Sequence, residues 1–184
     1  MSYVYTTKGT CSTKIELELD GNVVHNVKFT GGCHGNLQAI PKLVEGLTVE
    51  EVEARIKEIA EQINQDFAGE SVTLVCILKG SIFFTTELAK YITLPVTIDF
   101  MQCSSYGADT QSSGIVKLAK DLDEPIMGKH IILIEDIIDS GRTLSHLVKL
   151  LSQREPASLT LCTLLDKPSR RVVEVDVKYT GFEI

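Results

Sequence analysis
The chain has 184 residues, 43% of them hydrophobic, and a formal net charge of −7. That length suits one ordinary domain or one domain with an appendage, and the apolar share excludes a disordered chain. The acidic balance argues against a general nucleic-acid binder, although a local basic pocket for phosphate stays open, and no apolar run approaches the ~20 residues of a membrane span.

The opening MSYVYTTKGT has no apolar core of the signal-peptide kind. Five scattered cysteines, Cys11, Cys33, Cys76, Cys103 and Cys162, make an odd count. Cys76 and Cys162 lie inside apolar runs and read as buried thiols, so a reduced, cytoplasmic protein is expected. The first elements read as strands. Thr13–Leu19, TKIELEL, alternates with Ile15, Leu17 and Leu19 on one face. DGN at Asp20–Asn22 is a hairpin turn, and VVHNVKF is the return strand. A glycine-rich loop, TGGCHGN, and a short helical stretch, LQAIPKLVEG, follow. Cys11, His25, Cys33 and His34 are candidate metal ligands here. The close Cys-x-x-Cys pairs of a structural zinc site are missing, however, and a turn with a buried or free thiol is the favoured reading.

LTVEEVEARIKEIAEQINQDF is the clearest helix. Thr48 and Glu51 form a capping box, and Val52, Ile56, Ile59 and Ile63 make one apolar stripe. It is also the expected seam between two segments. From residue 71 strands and helices alternate. VTLVCIL is a doubly buried strand, IFFTTELAKYI a helix, PVTIDFM a strand, SSYGADTQSSG a long polar loop and GKHIILIEDII a third strand. TLSHLVKLLSQ is a helix with Leu144, Leu147, Val148 and Leu151 on one stripe, and SLTLCTLL is a fourth buried strand. The order predicts an α/β fold with an open, largely parallel sheet flanked by helices, preceded by a small α+β segment.

Polar clusters follow three of these strands. They are Lys79-Gly80-Ser81, then Glu135-Asp136 with Asp139-Ser140-Gly141-Arg142-Thr143, then Asp166-Lys167-Pro168. Ligands of such sheets bind beyond the carboxyl ends of the strands. Asp139–Thr143 leads into a helix, so its N–H groups suit a phosphate. Three nearby carboxylates would repel a bare phosphate. A phosphorylated sugar resolves the conflict, because carboxylates accept hydrogen bonds from hydroxyls and favour a divalent cation. Acids before Ser-Gly also suit a plain helix cap, but the whole pattern favours a binding site.

ILIEDIIDSGRT, with LKGSIFF, IDFMQCSSYG and LLDKPSRR, resembles the type I phosphoribosyltransferases, and within them the bacterial hypoxanthine (hypoxanthine-guanine) enzymes, from about Leu47 to Ile184. The resemblance implies a purine salvage transferase that moves phosphoribosyl from phosphoribosyl pyrophosphate onto a 6-oxopurine with Mg²⁺. Glu135 and Asp136 would hold the ribose hydroxyls and help place the metal. Asp139 would be the general base beside the purine N7, and Asp139, Ser140, Gly141, Arg142 and Thr143 the 5′-phosphate loop. Leu78, Lys79 and Gly80 would form the pyrophosphate loop, with a cis peptide before the glycine. Ser105 and Tyr106 would belong to a mobile lid, Lys167 would read the 6-oxo group, and Ile137 would lie against the purine. A homo-oligomer without nucleic-acid or membrane partners is expected. Family members continue some tens of residues past VKYTGFEI, in a tail with a purine-stacking aromatic, an acid for a second Mg²⁺ and an arginine, so impaired activity is expected of a chain ending there. Residues 1–47 resemble the start of the small TSCPD-domain proteins, which suggests a fusion or chimera. The alternative is a non-catalytic module that binds phosphoribosyl pyrophosphate or nucleotide. A pyrophosphokinase or pyrimidine-specific relative fits LKGSIFF and LLDKP poorly.

Overall fold
The computed structural model describes residues 1–7, 13–31, 41, 45–105 and 116–184. They form two compact units, Met1–Glu58 with Ile184, and Ile59–Glu183.

In the first unit, β1 (Ser2–Thr6), β2 (Lys14–Asp20) and β3 (Val23–Thr30) make an antiparallel sheet in that order. The DGN turn joins β2 to β3 through two residues, with Asp20 paired to Val23. β1 is the unexpected strand: all five of its residues are exposed, so only backbone pairing defines it. His25 pairs with Glu45 at 2.9 Å. Cys11, Cys33, His34 and most of the LQAIPKLVEG stretch lie outside the described residues. Helix α1 (Val49–Asp66) opens on the expected capping box. Thr48 N–H donates to Glu51 Oε2 at 2.7 Å, and Glu51 N–H donates to Thr48 Oγ1 at 3.1 Å.

The second unit carries the larger sheet. Its strands are β4 (Val72–Leu78), β5 (Val96–Ser105), β6 (Val116–Lys120), β7 (His130–Ile138), β8 (Ser158–Asp166) and β9 (Tyr179–Glu183). Their spatial order is β6-β5-β4-β7-β8-β9. All neighbours are parallel except the β5–β6 pair. β6 and β9 were not anticipated. β4 and β7 have continuous apolar runs because both of their faces are covered: Ile131, Ile132, Leu133 and Ile134 are all 0% exposed. Burying each such side chain contributes up to about 1.5–3 kcal/mol, an upper bound because the unfolded chain is already partly compact.

Helix α2 (Ile82–Ala89) links β4 to β5, and α3 (Arg142–Ser152) links β7 to β8. α3 lays Leu144, Leu147 and Leu151 on one face of the sheet, in a single core with Val75, Ile77, Met101, Ile131, Leu133 and Leu161. Val148 packs at its margin, so the stripe read from the sequence is the stripe that is buried. From β4 the chain winds outward to β5, and from β7 it winds the other way to β8. The β4/β7 boundary is thus the switch point, where a crevice opens at the carboxyl edge.

Candidate active site
The structure brings the three polar strand ends together. β4 ends at Leu78, and the peptide from Leu78 to Lys79 is cis, one bond ahead of the peptide to Gly80. Lys79 and Gly80 are exposed, while Ser81 is fully buried. Ser81 Oγ donates to the Ile77 carbonyl at 2.6 Å and lies 3.2 Å from Cys76 Sγ, so one side chain closes the turn around residues 78–80. Gly80 lies directly against the Asp136 carboxylate: a Cβ there would come 2.6 Å from Asp136 Cγ. No other residue type fits without displacing the acid, and this contact joins the end of β4 to that of β7.

Glu135 and Asp136 are the sixth and seventh residues of β7, not residues beyond its end as the sequence suggested. The strand continues through Ile137 and the buried Ile138, still paired with β8 at Leu165 and Asp166. Polarity begins at Glu135, where the fully buried run of residues 131–134 gives way to part-buried positions. Asp139 and Ser140, both part-exposed, then turn the chain into α3. Gly141 is the N-cap of α3 with φ +78°, a left-handed conformation that penalises any Cβ. A Cβ on Gly141 would also strike the Val173 carbonyl. Glycine leaves the first turn of α3 without a capping side chain, the usual arrangement where a helix end receives an anion. Arg142 is exposed and Thr143 half-buried in that turn.

The end of β8 closes the group. Lys167 N–H donates to the Ile138 carbonyl at 3.0 Å, which ties the lysine to the same loop. A tight turn, Pro168–Arg170, follows. Arg170 Nε lies 3.3 Å from Asp139 Oδ1. Arg171, with its side chain 8% exposed, pairs with Asp166 and donates from Nη1 to the Asp139 carbonyl at 3.3 Å. Of the expected lid, Ser105 ends β5 and its backbone pairs with Val116, while Tyr106 lies outside the described residues.

Residues 47–184 match the family model described as a phosphoribosyl transferase domain. The hypoxanthine-guanine phosphoribosyltransferase of Mycobacterium avium is 45% identical over 144 residues, 75% of this chain and 71% of that protein. The hypoxanthine phosphoribosyltransferase of Haemophilus influenzae is 49% identical over 137 residues, 73% of this chain and 76% of that protein. A crystal structure of the Bacillus anthracis hypoxanthine-guanine phosphoribosyltransferase, with a HEPES molecule in its active site, superposes with a TM-score of 0.70 at 47% identity. The match covers 73% of this chain and 80% of that one. The chain belongs to the phosphoribosyltransferase family.

In this phosphoribosyltransferase Glu135 and Asp136 lie side by side near the end of β7. Burial, and after it the hydrogen bond and charge of Asp136, push Glu135 well above the usual carboxylate range. Cys103 on β5 is pushed up to about 11, by burial first and by Glu135 second. Among the described residues no cluster of three or more His, Cys, Asp or Glu side chains forms a metal cage. Ser81, Arg170 and Arg171 were given no role from the sequence. The available signal was Asp166 followed five positions later by Arg171 across a Pro-containing turn, a spacing that brings the two side chains together.

Proposed function
We propose that the strand-end site moves the phosphoribosyl group of phosphoribosyl pyrophosphate onto hypoxanthine or guanine, giving IMP or GMP and pyrophosphate. The observation that carries this reading is the junction of three loops, with Gly80 on Asp136 and Lys167 tied to Ile138 one residue before Asp139. Curated relatives named hypoxanthine or hypoxanthine-guanine phosphoribosyltransferase, 44–49% identical, support it. So does the Trypanosoma cruzi hypoxanthine phosphoribosyltransferase solved with its product IMP, which superposes with a TM-score of 0.68 at 36% identity.

The roles proposed are those that the family resemblance implies, residue by residue. The 139–143 loop receives the 5′-phosphate at the N-terminus of α3. Glu135 and Asp136 accept hydrogen bonds from the ribose hydroxyls. Leu78, Lys79 and Gly80 present backbone groups and one cation to the pyrophosphate. Lys167 donates to the 6-oxo group, Ile137 lies against the base, and Asp139 takes the proton from the purine N7. The purine N9 attacks the anomeric carbon as the bond to pyrophosphate breaks. The enzyme supplies position and charge neutralisation, and the lid at Ser105 and Tyr106 keeps water from the activated sugar.

A divalent cation, expected as Mg²⁺, suits this donor set. Mg²⁺ takes one or two carboxylates and completes its shell with water and substrate oxygens, so it needs no protein cage. Such a cation offsets the burial and, after it, the Asp136 hydrogen bond and charge that together raise Glu135. When bound it neutralises charge on the leaving group. Among the described residues no helix is long and apolar enough to cross a membrane. The free thiols Cys76, Cys103 and Cys162 support a reducing, cytoplasmic setting. Residues 1–47 form a TSCPD-like appendage in this proposal, and the β1–β2–β3 sheet supports its β portion.

The test is incubation with hypoxanthine, guanine or xanthine, phosphoribosyl pyrophosphate and Mg²⁺, with chromatography of the products. IMP or GMP with stoichiometric pyrophosphate is expected. No nucleotide from any purine overturns the reading, and phosphoribosyl pyrophosphate binding without product supports the non-catalytic alternative instead.

A further inference from the structure
Arg171 is a buried arginine that makes its contacts behind the site. Its guanidinium bridges the end of β8, at Asp166, and the start of the phosphate loop, at the Asp139 carbonyl. Its stem lies on Gly141, where a Cβ would come 3.1 Å from Arg171 Cδ. The next two residues continue the contact. Val172 N–H and Val173 N–H both donate to the Ser140 carbonyl at 3.0 Å. Two successive carbonyls of the loop, those of Asp139 and Ser140, are therefore held from behind.

The peptides that carry these carbonyls are trans, since the cis bond lies elsewhere. In a planar trans peptide the N–H points opposite to the C=O. Fixing the Asp139 and Ser140 carbonyls at the back therefore aims the N–H groups of Ser140 and Gly141 to the front, where α3 begins. Two adjacent N–H groups directed the same way beside a helix N-terminus make an anion cradle. The same bond also fixes the backbone from which the Asp139 side chain departs. Asp166 completes the device: without it a buried guanidinium would lack a counter-charge, and its pairing closes the turn that begins at Lys167.

We infer that Arg171 is a positioning residue of the transfer site: with Asp166 as its counter-ion it sets the direction of the Ser140 and Gly141 N–H groups that receive the substrate's 5′-phosphate. The inference rests on the proposed transfer reaction for the identity of that phosphate. It also separates two halves of the ligand, because the pyrophosphate loop is closed independently by Ser81.

Three variants test it: Arg171→Met, which keeps much of the stem, Arg171→Lys, which keeps the charge, and Asp166→Asn. IMP and pyrophosphate binding are measured by calorimetry, alongside turnover and thermal unfolding. Loss of a charged hydrogen bond of this kind is expected to weaken IMP and raise the KM for phosphoribosyl pyrophosphate by about 10- to 100-fold in Arg171→Met. Pyrophosphate affinity should stay within about 3-fold, an effect under ~0.7 kcal/mol. Arg171→Lys should recover part of the IMP loss, and the Asp166→Asn/Arg171→Met double variant should be no worse than Arg171→Met alone. Equal weakening of IMP and pyrophosphate, or unchanged IMP binding, overturns the inference. If Arg171→Met does not fold, the same comparison is made on Arg171→Lys and Asp166→Asn. Because both affinities are read without turnover, a wild-type chain that binds IMP yet makes no nucleotide defeats the proposed reaction and leaves this test standing.

Discussion

The two loops on either side of the β4/β7 boundary are held by different means. The 78–80 loop is closed locally: Ser81 Oγ reaches back to Ile77 beside the buried Cys76 thiol, all within six consecutive residues. The 139–143 loop is held by a distant segment, residues 166–173, through Arg171 and the N–H groups of Val172 and Val173. Local closure fixes the backbone of the first loop from its own neighbours, and its contact with β7 is the close approach of Gly80 to the Asp136 side chain. Non-local closure couples the 139–143 loop to the strand end that carries Lys167, so in the proposed reaction the sugar-phosphate and purine sides of the site share one support. The distinction predicts which substitutions separate binding from turnover and which cannot.

The largest effect is expected at Asp139, whose backbone belongs to the phosphate loop and whose side chain faces the base in the proposed reaction. Asp139→Asn keeps the shape and the carbonyl that Arg171 holds but cannot accept the purine proton. Turnover should fall about 10²- to 10⁴-fold, while sugar-phosphate affinity measured by calorimetry should change by no more than about 3-fold. Equal loss of both would refute its role as base and make the residue part of the cradle.

The two glycines sharpen the contrast further. Gly141→Ala meets both an unfavourable φ and the Val173 carbonyl, and neither can move without undoing the hold on the loop. A loss of about 2–4 kcal/mol in stability is expected together with loss of IMP binding, because strain at a left-handed residue and a backbone clash add. At Gly80 the three atoms nearest an added Cβ all belong to the Asp136 side chain, so Gly80→Ala displaces a carboxylate rather than backbone. Its unfolding midpoint should therefore stay near the wild-type value while turnover falls by about 100-fold through the displaced acid. Equal destabilisation of the two variants in a thermal melt would erase the distinction between the loops.

How much of this was legible beforehand follows the same division. β4, β7 and β8 declare themselves because strands buried on both faces need continuous apolar runs, and the acids of β7 mark the point where cover ends. The Thr48–Glu51 box is local, and its reciprocal hydrogen bonds form as the spacing predicts. β1, β6 and β9 were not legible. Each is short and mixed in character, SYVYT, VKLAK and YTGFE, and becomes a strand only through pairing with distant residues. Arg171 was hidden for the same reason. Of two adjacent arginines, only the fold decides that Arg171 is buried against Asp166 while Arg170 is 63% exposed.

Ser81→Ala probes the local loop in turn. It leaves the Ile77 carbonyl and the Cys76 thiol without their buried partner, and an unmade buried hydrogen bond costs about 1–3 kcal/mol. Pyrophosphate affinity should fall by about 10-fold, with IMP affinity nearly unchanged, the reverse of the pattern expected for Arg171→Met. A variant that weakens both ligands alike would show that the two loops move together.

The smallest effect concerns the acids that lie between the loops, and it is read in the ligand-free protein. Glu135 has a folded-state pKa well above its usual 4.5, so between those two values the native chain keeps a proton that the unfolded chain has released. The sign follows directly: the unfolded state binds fewer protons there, so stability falls as pH rises above about 4.5, with a slope of at most about 1.4 kcal/mol per pH unit for one group. Below that window both states are protonated and the contribution is constant. Glu135→Gln removes the group that must either hold its proton or ionise in a buried place. The variant should melt at nearly the wild-type temperature at about pH 4 and some ~2–4 °C higher at about pH 8, the shift expected of roughly 1 kcal/mol in a domain of this size. The gain belongs to the free protein only, because the substituted amide cannot offer the negative oxygen that the ribose hydroxyls and a divalent cation would use. A melt in which wild type and variant run parallel across that pH range would mean that Glu135 is already ionised in the ligand-free protein and that burial beside Asp136 does not hold its proton.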